Sequence, residues 1–221
     1  MTIVSIKAKA EEGLFHAELA DGSSFLFRTC YLPQVLTGID ATDGIEGQDM
    51  GHIEEEDFRF ASSCFGAEQV ALRLIARAEQ TAFGLGRKLE KRGFNSACVR
   101  AVIARLCELD LLDDRRYARF WLELRLNRQA TSPTRLLTGL RSRGIDREDA
   151  GSALREALDD ETERQLLERF MQKQQGKRKG KGGVGLRSSG DTDTDTARRS
   201  LKYMLRSEGF SSLAIETVFD E

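Results

Sequence analysis

The stretches KLEKRGF (Lys88–Phe94), GLRSRGI (Gly139–Ile145) and MLRSEGF (Met204–Phe210) decide how this sequence folds. Each carries a leucine four residues before a glycine and a bulky apolar residue directly after it: Leu89, Gly93 and Phe94; Leu140, Gly144 and Ile145; Leu205, Gly209 and Phe210. A residue just past a helix end often takes a left-handed conformation, which glycine reaches without a Cβ penalty, while the next apolar side chain folds back onto the helix. The three stretches therefore predict three helix ends of one kind.

The likeness continues past the glycines. Five, eight and nine residues beyond the bulky apolar residue stand Val99, Val102 and Ile103, then Ala150, Ala153 and Leu154, then Ile215, Val218 and Phe219. A second helix is expected after each glycine, with its buried stripe in one shared register. Upstream lie amphipathic segments. EQVALRLIARAEQ presents Val70, Leu72, Leu74, Ile75 and Ala78, and Thr81 can cap the helix that follows it. LLDDRRYARFWLELRL reads as a helix capped by Asp113 or Asp114 that buries Tyr117, Phe120, Trp121 and Leu124. Ser132–Pro133 opens the next helix with a capping serine and a proline at its first position. TERQLLERFMQ precedes the third copy. Each unit thus reads as three helices over about 45 residues, and self-similarity at that period marks a tandem array. A helix of about twelve residues is roughly 18 Å long, so three modules in a row suit an extended surface.

The expected fold is mainly α: a small β-rich N-terminal element with an acidic linker (1–65), then three-helix modules over 66–112, 113–158 and 159–221. A flexible insertion over about 173–195 interrupts the third module. The β reading rests on alternation in TIVSIKAKA and LFHAELADGSSFLFR around the turns EEG and DGSS. Gly38–Asp57 is acidic and glycine-rich and reads as a linker, since its carboxylates lack EF-hand spacing.

Composition narrows function. Of 221 residues, 32% are charged and only two are proline, which fits helices with wide solvated faces. The net charge of −2 divides unevenly: residues 1–65 hold four Lys+Arg against twelve Asp+Glu, 66–158 eighteen against twelve, and 159–221 twelve of each. An acidic protein can therefore still present a basic face to a polyanion. Cys30, Cys64, Cys98 and Cys107 form no CxxC pair and read as reduced thiols of a cytoplasmic protein. No apolar run approaches the roughly 20 residues of a membrane span, and MTIVSIKAKAEE does not read as a signal peptide. No metal, cofactor or catalytic constellation is expected. GKRKGKGGVG lacks the phosphate-loop pattern, and Asp113–Asp114 is explained by capping.

Taken together, ALRLIARAEQTAFGLGRKLEKRGF, LDLLDDRRYARFWLELRL and SPTRLLTGLRSRGI resemble the successive landmarks of the RecX family, regulators of the bacterial RecA recombinase. Ser132, Gly139 and the pair Phe83–Gly84 depart from the family's usual residues. The resemblance implies a non-enzymatic, monomeric modulator, foremost an inhibitor. It would bind RecA filaments on single-stranded DNA, touch duplex DNA weakly, and restrain ATP hydrolysis, strand exchange and filament growth in recombination and the SOS response.

The residues themselves supply a candidate surface. Arg87, Lys88, Lys91 and Arg92 form a charged stripe opposite Leu85 and Leu89, and Arg135, Arg141 and Arg143 occupy the related helix of the next module. Phosphate or an acidic recombinase surface is the expected contact. Tyr117, Phe120 and Trp121 read as core. Two alternatives stay open: a helix-turn-helix transcriptional regulator, since two helices around a glycine turn share that outline, and an adaptor that touches only protein.

Overall fold

A computed structural model describes residues 3–11, 13–32, 54–180 and 191–220, with 175–180 and 191–195 described as backbone only. The acidic stretch 38–53 lies outside the described residues. The chain divides into two compact units, Met1–Asp113 and Asp114–Glu221.

The first unit opens with three antiparallel strands in the order β1 (Ile3–Ala8), β2 (Leu14–Leu19) and β3 (Ser24–Arg28). Gly13 and Gly22, at φ 69° and 86°, make its two turns. A 3-10 turn, Thr29–Tyr31, follows β3. The alternation seen in the sequence buries Ile6, Phe15, Ala17, Leu19 and Phe27. This face packs on α1 (Glu55–Ile75), where the Phe27 and Phe58 rings meet edge to face at 5.2 Å. One side of α1 is built from small residues, Ala61, Cys64, Ala67 and Ala71, all fully buried, which lets α2 (Ala82–Glu90) and α3 (Ser96–Glu108) approach closely. Cys64 and Cys98 meet in this core, and the hydrogen bond to Cys98 together with burial pushes the Cys64 thiol up, keeping it protonated.

Helix α1 starts well before the helical period read from Ala67. Glu55, Glu56 and Asp57, expected in a linker, form its first turn, where carboxylates oppose the helix dipole favourably. Glu54 and Asp57 close a capping box there. At the other end the helix stops at Ile75, so Ala78 is exposed beyond it and is no part of its face.

The second unit holds α4 (Asp114–Arg128), α5 (Pro133–Arg141), α6 (Arg147–Ala157), α7 (Asp160–Gly180), α8 (Asp191–Ser207) and α9 (Ser212–Asp220). Both of its three-helix groups share one core, in which Leu122, Leu136, Leu140, Leu166, Leu167, Leu205 and Ile215 are fully buried. The stretch 173–195, expected as one flexible insertion, is helical at both described ends: α7 runs on to Gly180 and α8 begins at Asp191. The face expected of α4 is corrected too. Ala118, Leu122 and Leu126, one turn apart, are buried; Tyr117 and Trp121 pack at the core's edge, while Phe120 and Leu124 are exposed. Small Ala118 carries little apolar weight in a sequence reading, so the larger side chains drew the stripe to the wrong side.

The three glycine ends are the same structure repeated. Gly93, Gly144 and Gly209 have φ of 89°, 86° and 90°. The next residue's N–H reaches back to the leucine carbonyl at 3.4 Å (Phe94 to Leu89), 3.3 Å (Ile145 to Leu140) and 3.2 Å (Phe210 to Leu205). Each glycine N–H bonds the carbonyl three residues before it, at 2.9, 3.0 and 3.0 Å. This is the paired Schellman closure, which satisfies carbonyls that a helix end would otherwise orphan.

The N-termini are less uniform. Thr81 accepts from the Gly84 N–H at 2.9 Å, and Asp146 accepts from Glu148 and Asp149, which holds its carboxyl below the usual range. Ser132 does not cap its own helix. Its hydroxyl donates to the Glu208 carboxylate, and the Glu208 carbonyl accepts the Thr134 N–H at 3.0 Å, so the last glycine turn closes the start of α5.

Candidate functional site

The seven basic residues singled out in the sequence occupy different situations. On α2, Leu85 and Leu89 are fully buried and Arg87 and Lys88 are exposed, as are Lys91 and Arg92 at its C-terminal end. Helical geometry then splits the four into two rows. Arg87 and Lys91, four residues apart, face away from the core together with Phe83, whose ring lies 5.8 Å from the Arg87 guanidinium. Lys88 and Arg92 form the second row and are tied to the protein: Lys88 donates to the Gln80 side-chain oxygen at 2.6 Å, and Arg92 donates to the Lys88 carbonyl at 2.7 Å. Arg92 thereby serves the helix end, where a cation meets the dipole's negative pole.

Along α5 and the turn that follows it, the three arginines do not form one patch. Arg135 and Arg141 are exposed but six residues apart, which places them well around the helix from each other. Arg143 is half-buried. It donates to the Gly139 carbonyl at 2.7 Å and lays its guanidinium 4.8 Å from the Trp121 ring centre, with Arg125 at 5.2 Å from the same ring. Trp121 fits because position 139 is glycine: a Cβ there would stand 2.5 Å from the indole. In the sequence Gly139 stands out only as a departure from the family that the chain resembles; its indole-accommodating role needs the fold.

Two further features escaped the sequence. Glu68 is buried on α1 and accepts from Arg28 Nε at 2.9 Å and from the Tyr31 hydroxyl at 2.6 Å, with Arg105 Nε 3.5 Å away. One carboxylate thus joins strand, 3-10 turn, α1 and α3. Burial and the hydrogen bond to Glu68 push the Tyr31 phenol well above the usual tyrosine range. The other feature is the outer face of α8, with Arg199, Tyr203 and Arg206 exposed. Counting back from each glycine would have found it, because Tyr203 stands six residues before Gly209 as Arg87 stands six before Gly93. Among the described residues no three His, Cys, Asp or Glu side chains gather to hold a metal ion, and no helix is long and apolar enough to cross a membrane.

Comparison with known proteins identifies the architecture. Residues 67–106 match the RecX first three-helix domain and residues 113–154 the RecX second three-helix domain. The regulatory protein RecX of Treponema pallidum (strain Nichols) is 41% identical over 114 residues, covering 52% of this chain and 70% of that protein. The chain belongs to the RecX family. RecX of Amycolatopsis mediterranei is 28% identical over 155 residues, covering 70% of this chain and 82% of its own. The fold agrees along the whole length with a crystal structure of regulatory protein RecX, at a TM-score of 0.66 and 19% identity, covering 100% of this chain and 99% of the other. RecX from Lactobacillus salivarius aligns at a TM-score of 0.54 and 21% identity over 72% of this chain and 96% of that one. RecX membership makes this a regulatory protein built of repeated three-helix domains.

Proposed function

We propose that this RecX-family chain is a non-enzymatic modulator of the RecA recombinase that acts in the cytoplasm as a monomer. It binds RecA filaments on single-stranded DNA and restrains their ATP hydrolysis, strand exchange and growth. Family membership supports the partner, and the outward row Phe83, Arg87 and Lys91 is the observation on this chain that carries the contact: two cations and an aromatic ring share one solvent face of α2. Arg135 and Arg141 add cationic points on the second module, whereas Arg92 and Arg143, engaged with backbone and indole, serve the fold first. The three modules, 66–112, 113–158 and 159–221, act as successive contact surfaces, which suits a polymeric partner better than a single pocket.

The test follows ATP hydrolysis by RecA on single-stranded DNA. Substoichiometric protein should slow it, and the double reversal Arg87→Glu with Lys91→Glu should weaken the effect and flatten its salt dependence. Each lost single-strand phosphate contact should lower the salt slope by about 0.7. An unchanged hydrolysis rate at equimolar parent protein would overturn the proposal. A double reversal that inhibits as well as the parent at low and high salt would move the contact off α2.

A further inference from the structure

We infer that the outer face of α8, Tyr203 flanked by Arg199 and Arg206, binds single-stranded nucleic acid by stacking a base on the tyrosine ring. The inference rests on the reading that the protein works on filaments carried by single-stranded DNA, and it assigns a surface for the strand itself.

Among the described residues three aromatic side chains are exposed: Phe83, Phe120 and Tyr203. Each stands four residues from an arginine, namely Arg87, Arg116 and Arg199. Tyr203 differs from the other two in degree. At 77% exposure it is the most exposed large apolar side chain described, against 50% and 51% for Phe83 and Phe120. Its surroundings differ in charge as well. Phe83 has Glu79 one turn away and Phe120 has Glu123, whereas the positions three and four residues from Tyr203 on either side are Arg199, Ser200, Arg206 and Ser207, with no carboxylate among them; Asp195 stands one turn before Arg199.

Helix geometry sorts the four cations of α8. Leu201 and Leu205 point into the core. Arg198 and Lys202 lie on one flank, where both guanidinium and ammonium approach the Phe219 ring, at 5.6 and 5.3 Å. Arg199, Tyr203 and Arg206, at spacings of four and three, share the opposite face from the leucines. A ring exposed over most of its surface, with an arginine one turn before and one turn after it, fits a strand whose bases are unpaired. Every base offers a π-face, and the phosphates on either side meet the arginines. Duplex bases are already stacked on one another and gain nothing from the ring, so the surface should prefer single strands.

The experiment measures binding of a fluorescent oligo-dT to the full chain without recombinase, by anisotropy, in parallel with a duplex of equal length. Tyr203→Ala should weaken oligo-dT binding about tenfold, the lower part of the range for one base stacked on an aromatic side chain. Tyr203→Phe keeps the ring and should bind like the parent. Arg199→Gln with Arg206→Gln should lower the salt slope by about 1.4, two single-strand contacts. Unchanged Trp121 emission and circular dichroism check that the variants remain folded.

Tyr203→Ala binding oligo-dT as tightly as the parent would overturn the inference. Equal weakening on the duplex would overturn stacking, leaving only charge. A loss confined to recombinase binding would assign the face to a protein partner and also overturn it. A parent chain that slows RecA yet binds no oligo-dT would defeat this inference and leave the proposed function standing.

Discussion

Gly93 and Gly209 share a backbone conformation but not a neighbourhood, and replacing each by alanine separates the two reasons a helix ends in glycine. At Gly93 a Cβ would meet nothing within 4 Å. The cost there is conformational: about 1–2 kcal/mol for a left-handed non-glycine residue, reduced by about 0.4–1 kcal/mol through the less flexible unfolded chain. A net loss of about 1 kcal/mol is expected for Gly93→Ala. At Gly209 the same Cβ would stand 2.7 Å from Thr134 Oγ1 and 3.2 Å from the Thr134 backbone nitrogen. That nitrogen is fixed by its bond to the Glu208 carbonyl and cannot simply rotate away. Overpacking adds about 1–3 kcal/mol, so Gly209→Ala should lose about 2–4 kcal/mol in all. Trp121, the sole tryptophan, lies in the same unit as Gly209, so its fluorescence reports that unit's unfolding in urea. With a slope of about 1–2 kcal/mol per molar urea, the midpoint should fall by on the order of 2 M. Circular dichroism should show a shift of less than about 1 M for Gly93→Ala. Adding Thr134→Ala to Gly209→Ala should recover part of the loss, since it removes the nearer of the two obstructing atoms. If Gly209→Ala is no more damaging than Gly93→Ala, the Thr134 contact yields freely and the glycine is needed only for its φ.

Tyr31 should be the tyrosine that withholds its proton. Burial and donation to Glu68 raise its folded pKa, so its contribution to stability is complete below the ordinary tyrosine value of about 10 and is lost as pH rises above it. Alkaline absorbance titration should show a tyrosine step that coincides with unfolding of the first unit, and Tyr31→Phe should abolish that step; a Tyr31→Phe titration identical to the parent's would refute this. Gly139→Ala should gain helix propensity and yet drive the Trp121 ring outward, shifting its emission to the red and weakening its near-ultraviolet dichroism. An unchanged spectrum would mean that the indole accommodates the methyl group.

The helical repeat was legible because its signal is local. Glycine, the leucine four before it and the apolar residue after it lie within one turn, and the following stripes repeat at fixed offsets: Val99, Val102, Ala150, Ala153 and Ile215 are all buried. Thr81 as a cap was legible for the same reason. The start of α1 was not, because Glu54–Asp57 reads as acidic linker unless one knows that Phe58 lands under the sheet. The candidate site was half legible. Charge and spacing located Arg87 and Lys91, but nothing local reveals that Lys88 reaches Gln80 or that Arg143 folds over an indole from another helix. The Glu68 hub joins residues 40, 37 and 37 positions apart from it, a distance at which a single sequence carries no pairing signal.

Because the helix before each glycine is measured backward from it and the helix after it forward, the chain has a fixed origin in every module and an open side upstream of it. Ten residues, 181–190, stand between α7 and α8, yet Leu205, Phe210 and Ile215 keep the registers of Leu89, Phe94 and Val99. Extra length entering before α8 shifts nothing that is counted from Gly209. One residue added between Gly209 and Ser212 would rotate all of α9 by about 100° and turn Ile215 from the core to the water. Length can therefore vary at one junction of the module and not at the other, and the junction that tolerates variation is where a tag, a linker or a fused domain can be placed without disturbing the repeat.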